Sequence, residues 1–149
     1  MPLAFTENPA PGERLGVWRV EELHDVTPQE LTAAAKIGHP AKKAQWLGAR
    51  RCARQVLDLS DDDRIIYDAV GRPVLSSGLW RLSFTHTRQF AAFIAARSGE
   101  IGLDAELMNP QRDVATGSYF MNDAEWAHLQ QSAAPHDWFY LVWCVKECL

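Results

Sequence analysis

The sequence predicts an α+β fold, an antiparallel meander of short strands with helices packed against it. Three observations lead there. Thr27-Pro28-Gln29-Glu30 is a capping box with proline at the first helical position, and Pro40 opens a second helical stretch. Three apolar runs, 80–86, 90–96 and 101–107, follow across gaps of turn residues, Arg88-Gln89 and Ser98-Gly99. The 149 residues are 47% apolar and 23% charged, the make-up of one folded domain with little room for a second.

Taken in order, Leu15 to Val20 reads as a short strand with Trp18 and Val20 on one face. The first helix runs from Pro28 to about Ile37 and stops at Gly38, and the second runs from Pro40 to about Leu57. Asp61 to Asp63 is a solvated turn, Arg64 to Tyr67 a strand, and Ala69 to Pro73 a further turn. After the meander, 110–118 reads as loop, and Asn122 or Asp123 caps a helix carrying Trp126 and Leu129. Trp138 to Val145 is eight consecutive apolar residues, expected to form a buried helix capped near Asp137. Such a helix needs cover, yet the chain stops at Cys148-Leu149 with no glycine cap; the expectation is a piece of a longer protein.

Several function classes are excluded by composition. A net charge of −4 leaves no basic excess to release counterions, which argues against nucleic acid or an anionic membrane as partner. No apolar run approaches a transmembrane span, and Met1 to Pro11 lacks the basic start and apolar core of a secretory signal. Cys52, Cys144 and Cys148 have neither disulfide-framework nor zinc-site spacing, so reduced thiols in a cytoplasmic protein are expected.

The chemistry-bearing residues begin in the third run. Period two places Ile101, Leu103, Ala105 and Leu107 on the core face and Gly102, Asp104 and Glu106 on the other. Adjacent carboxylates repel unless a cation or donors lie between them, and Mg2+ is commonly held by one or two carboxylates plus substrate phosphates. A solvated outer face of an edge strand fits the same pattern. In the meander, Asp104 and Glu106 lie opposite Ala91 to Phe93, with Thr85-His86-Thr87 near the same edge. Read alone, His86 is an ordinary hydrogen-bonded structural residue. The stretch from Lys36 through the second helix to Arg54 gathers Lys36, Lys42, Lys43, Arg50, Arg51 and Arg54 with no acid between Glu30 and Asp58. That is either a solvated face or a clamp for a phosphate-bearing ligand, helped by the helix N-terminus near His39. Arg72 adds a cation after a turn. Lys146 and Glu147 close an apolar helix, where charges are costly unless paired, solvated or bound to a ligand.

The ordered set Gly71-Arg72-Pro73, Ser83-Phe84-Thr85-His86-Thr87, Ile101-Gly102-Leu103-Asp104-Ala105-Glu106 and Trp143-Cys144-Val145-Lys146-Glu147 resembles the Sfp-type 4′-phosphopantetheinyl transferases. Lys43 to Arg50 is similar to the helix that precedes these motifs in bacterial members. The resemblance implies a fold of two similar α+β halves, with residues 1–100 as the first half and 101–149 as the opening of the second. It implies Mg2+-dependent transfer of the phosphopantetheine arm of coenzyme A to a serine of an apo acyl or peptidyl carrier protein, releasing adenosine 3′,5′-bisphosphate. By position, Asp104, Glu106 and Glu147 look like the metal ligands, and Glu147 or a water on the metal like the base. Lys146 looks like a phosphate contact. Arg72, Thr85 and His86, with Lys42, Lys43 and Arg50, look like coenzyme A contacts. The chain departs from the family pattern at Thr85 and Thr87, where serines are usual, and the family's second lysine would fall beyond Leu149. Two other readings are an inactive coenzyme A or nucleotide-binding module and an unrelated Mg2+-dependent phosphoryl-transfer enzyme. Fatty-acid, polyketide and peptide-synthesis carriers are not separated.

Overall fold

The computed structural model describes residues 3–20 and 26–148. Met1, Pro2 and Leu149, on which the readings of the two chain ends partly rest, lie outside the described residues. The chain forms two compact units, Met1–Ala105 and Glu106–Leu149.

In the first unit, β1 (Leu3–Glu7), β2 (Glu13–Arg19), β3 (Ile65–Tyr67), β4 (Pro73–Leu75), β5 (Arg81–His86) and β6 (Phe90–Ala96) form one sheet. Its order is β1-β2-β6-β5-β4-β3, with every neighbouring pair antiparallel. The β5–β6 hairpin closes at Thr87, whose N–H donates to Phe90 O at 2.7 Å. Phe84 faces Phe93, and Thr85 faces Ala92.

The meander ends there, which corrects the expected third strand. Residues 101–107 form no strand. The free edge of β6 is taken instead by β2, from Glu13↔Ala96 through Arg19↔Phe90, so no ladder remains for the 101–107 run to join. Asp104 therefore does not lie opposite Ala91 to Phe93.

Helix α1 (Pro28–Ala34) starts on the expected capping box. Glu30 N–H donates to Thr27 Oγ1 at 3.3 Å, and Thr27 N–H donates to Glu30 Oε2 at 3.2 Å. Beyond Ala34 the chain tightens into three-residue turns, Lys36 N–H to Ala33 O and Ile37 N–H to Ala34 O, so the helix ends before Ile37. Helix α2 (Pro40–Leu57) has the expected bounds and ends at Asp58, in the left-handed region with φ 52°.

α2 packs on β2, β5 and β6 over a core containing Trp18, Cys52, Ala53, Leu75, Trp80, Leu82, Phe93 and Ala95. Gly16 sets its approach: a Cβ there would stand 2.6 Å from Phe93 Cε1 and 2.7 Å from Cys52 Sγ. Arg54 ties α1 to α2 through an ion pair with Glu30 at 2.8 Å. It also donates to the carbonyls of Ser60 and Asp63 at 2.8 and 2.9 Å.

The second unit carries a 3-10 turn (Val114–Tyr119), α3 (Asp123–Gln131) and α4 (Pro135–Glu147). The turn occupies ground read as loop. Asn122 caps α3 as expected and completes a capping box with Glu125. α4 differs from its sequence reading in two ways. It begins at Pro135 with Ala134 as a cap that makes no side-chain bond, rather than near Asp137. It is also not buried all round: Phe139 and Val142 are buried, while Leu141 and Val145 are 56% and 52% exposed. So small a unit covers one helical stripe. That stripe packs Phe139 and Trp143 edge-on to Phe120, with ring centroids at 5.4 and 5.1 Å. Among the described residues no helix is long and apolar enough to cross a membrane.

Candidate active site

Ser83 and Thr85 stand two apart on β5, so their hydroxyls share one face while Leu82 and Phe84 turn to the helix-covered core. Those hydroxyls replace a backbone ladder for the segment that carries the first acid. Leu103 N–H donates to Ser83 Oγ at 3.1 Å, and Ala105 N–H donates to Thr85 Oγ1 at 3.1 Å. Thr85 then donates its own proton to Asp104 Oδ1 at 3.2 Å. A threonine serves here as well as a serine, because accepting one bond and donating another needs just a hydroxyl.

Asp104 Oδ2 is buried and has no hydrogen-bond partner among the described residues. Removing a carboxylate oxygen from water without a donor is costly, and a cation beside it offsets that cost. A hard oxygen donor of this kind fits Mg2+. The other two acids belong to the second unit: Glu106 is its first residue, and Glu147 is the last residue of α4. Both are exposed. Among the described residues, no three Asp, Glu, His or Cys side chains are gathered as a ready metal cage.

The candidate anion contacts separate into distinct environments. Arg72 sits in the β3–β4 turn, where Asp68 Oδ1 accepts from Val70 N–H and Arg72 N–H at 3.0 and 2.8 Å. Gly71 supplies the φ of +85° this turn requires. The exposed Arg72 guanidinium pairs with Glu100, which Arg81 also contacts at 3.3 Å. His86 is exposed at the end of β5, and Lys42 is exposed and Lys43 half-buried in the first turn of α2.

Arg50 is the buried cation of the set. Its guanidinium lies 3.3 Å from the Trp46 ring centroid and donates to Tyr67 Oη at 2.6 Å and Trp46 O at 3.2 Å. Burial lowers its pKa from the ordinary arginine value, against the opposing pull of Tyr67 and Glu30. Its hydrogen-bond acceptors are neutral, unlike those of Arg54. A cavity of about 240 Å³ opens beside it, walled in part by Trp46, Tyr67 and Ile65. A buried guanidinium with neutral partners at a cavity wall is suited to an anionic group.

Lys146 is half-buried, and its Nζ lies 3.0 Å from Glu125 Oε2. Sequence reasoning missed this partner, although the spacing Asn122-x-x-Glu125 marks it as the third residue of a capped helix. It also missed the anchoring by Ser83, legible as a hydroxyl two before Thr85, and the Glu100 contact, for which no sequence signal exists.

With this geometry in place, comparison with known proteins bears on one part of the chain. Residues 100–149 match the family model ACPS, the 4′-phosphopantetheinyl transferase superfamily. The match takes in Asp104, Glu106, Lys146 and Glu147. It supports a transferase and phosphopantetheine transfer in general. No curated protein matches the chain.

Proposed function

We propose that the protein is an Sfp-type 4′-phosphopantetheinyl transferase, moving the phosphopantetheine arm of coenzyme A to a serine of an apo acyl or peptidyl carrier protein. The observation that carries this reading is the buried, unpartnered Oδ2 of Asp104 inside the segment that matches the transferase family. Asp104, Glu106 and Glu147 are the residues proposed to hold Mg2+. When bound, Mg2+ neutralises charge on the coenzyme A pyrophosphate and on the group that leaves.

The protein's own residues account for the rest. Thr85 fixes Asp104 by its hydroxyl, leaving Oδ2 for the cation. Glu147 accepts the proton of the carrier serine as its oxygen bonds to phosphorus. The phosphorus–oxygen bond to the nucleotide breaks, and adenosine 3′,5′-bisphosphate leaves with the electron pair. Lys146 contacts a phosphate oxygen. Arg72, Thr85, His86, Lys42, Lys43 and Arg50 are proposed as contacts to the coenzyme A nucleotide, and Arg50 has the support of its cavity and neutral partners. The cytoplasm is the proposed location, where coenzyme A and carrier proteins meet.

Intact-mass analysis of an apo acyl carrier protein incubated with the chain, coenzyme A and Mg2+ tests the reading. The expected result is one added phosphopantetheine arm, abolished by Asp104→Ala and by chelation of the metal. Binding of coenzyme A with no product would replace the transferase reading with a binding module. Neither binding nor product would overturn both.

A further inference from the structure

Lysine carries its charge on a flexible four-carbon stem, so an ammonium meets a phosphate reproducibly when something else holds it in place. We infer that Glu125 is the positioning residue for Lys146, fixing its ammonium for a phosphate oxygen; the inference rests on the transferase reading above. One oxygen has two duties. Glu125 Oε2 accepts the Asn122 N–H at 2.8 Å and lies 3.0 Å from Lys146 Nζ. The first bond locks the carboxylate to the start of α3, so the second ties the ammonium to a fixed point.

Two more observations point the same way. The pair is sheltered, with Lys146 33% and Glu125 26% exposed, so water competes less than at an open surface pair. Trp138 Nε1 donates to Glu125 O at 3.0 Å, so α4 is tied to this residue at a second place along its length. An ammonium has three N–H donors. Glu125 engages one, and two remain for ligand oxygens. A helix cap alone does not require the carboxylate's charge, since glutamine serves at this position of a capping box.

That difference supplies the test. Glu125→Gln keeps the capping acceptor and removes the charge that holds Lys146. The expected result is a fall of about tenfold in kcat/KM for coenzyme A, with the circular dichroism spectrum unchanged. In a Lys146→Ala background, Glu125→Gln should add no further loss, the signature of a residue acting through Lys146. An unchanged Tm for Glu125→Gln checks that the cap on α3 survives the substitution. Titration calorimetry with coenzyme A reads the same cycle as affinities if binding occurs without turnover. Wild-type transfer by Glu125→Gln, or additive losses in the double variant, would overturn the inference and leave the transferase reading standing. A wild-type chain that neither binds nor transfers would overturn the transferase reading and, with it, the role of Glu125.

Discussion

Cys52 is 0% exposed beneath Gly16, and burial pushes its thiol up from an ordinary 9.0 to about 12. Between those values the unfolded chain ionises this thiol while the folded chain keeps it protonated. The contribution is therefore complete below pH 9 and is lost as pH rises towards 12, at about 1.4 kcal/mol per pH unit for this one group. Urea unfolding of wild type and Cys52→Ala at pH 8 and pH 10.5 checks it. The gap between the two proteins should narrow or reverse at the higher pH. At this scale the sequence was informative about type and silent about pairing. The hydroxyls of Thr85 and Ser83 were visible, and so were the three acids. That Arg54 meets Glu30 while Arg50 meets Tyr67 was not, because the choice depends on which turn of α2 faces α1 and which faces β3.

At the scale of elements, the closeness of α2 to the sheet depends on the absence of a side chain at Gly16. Gly16→Ala puts a methyl within 2.7 Å of the fully buried Cys52 and nearer still to Phe93, and neither has room to move away. A loss of about 1–3 kcal/mol is expected from overpacking, read as a lower urea midpoint. Gly38→Ala, with nothing within 4 Å of the added methyl, should be neutral or mildly stabilising. The start of α2 and the β5–β6 hairpin were legible because a proline at the first helical position and turn residues act locally. β4 was not: three residues starting on proline, joined to β5 through the single pair Val74↔Arg81, carry no periodic signal. The 101–107 run shows the opposite error. Its alternation holds in part: Leu103 and Ala105 are half-buried and Gly102 and Glu106 exposed. Asp104, however, is half-buried where period two predicts an outward side chain, and Leu107 is 59% exposed where it predicts a core one. A segment outside any ladder need not keep a period of two. In α4, continuous apolarity concealed which stripe would be covered.

For the whole molecule, the main core is confined to one unit. Each residue of the cluster around Phe93 and Cys52 lies within 1–105, together with the sheet and α2. A chain comprising residues 1–105 is expected to unfold cooperatively in urea and to give a dispersed amide spectrum. The 106–149 segment has a smaller core than isolated domains of fewer than about 70 residues generally need, and is expected to be largely unfolded by itself. A 1–105 chain that failed to fold would show that the sheet and α2 depend on the later segment. This unit also ends within the Asp104-Ala105-Glu106 motif, so one acid travels with the sheet and the next with the helices.

The fastening of Asp104 by two hydroxyls gives this acid a clock of its own. Leu103 and Ala105 owe their anchoring to Ser83 and Thr85 and not to a ladder, so the segment can lift by breaking side-chain bonds while β5 and β6 stay paired. Amides at 103 and 105 would then trade protons with solvent far sooner than those of Phe93 or Ala92, and the carboxylate could be withdrawn and returned many times within the lifetime of one folded molecule.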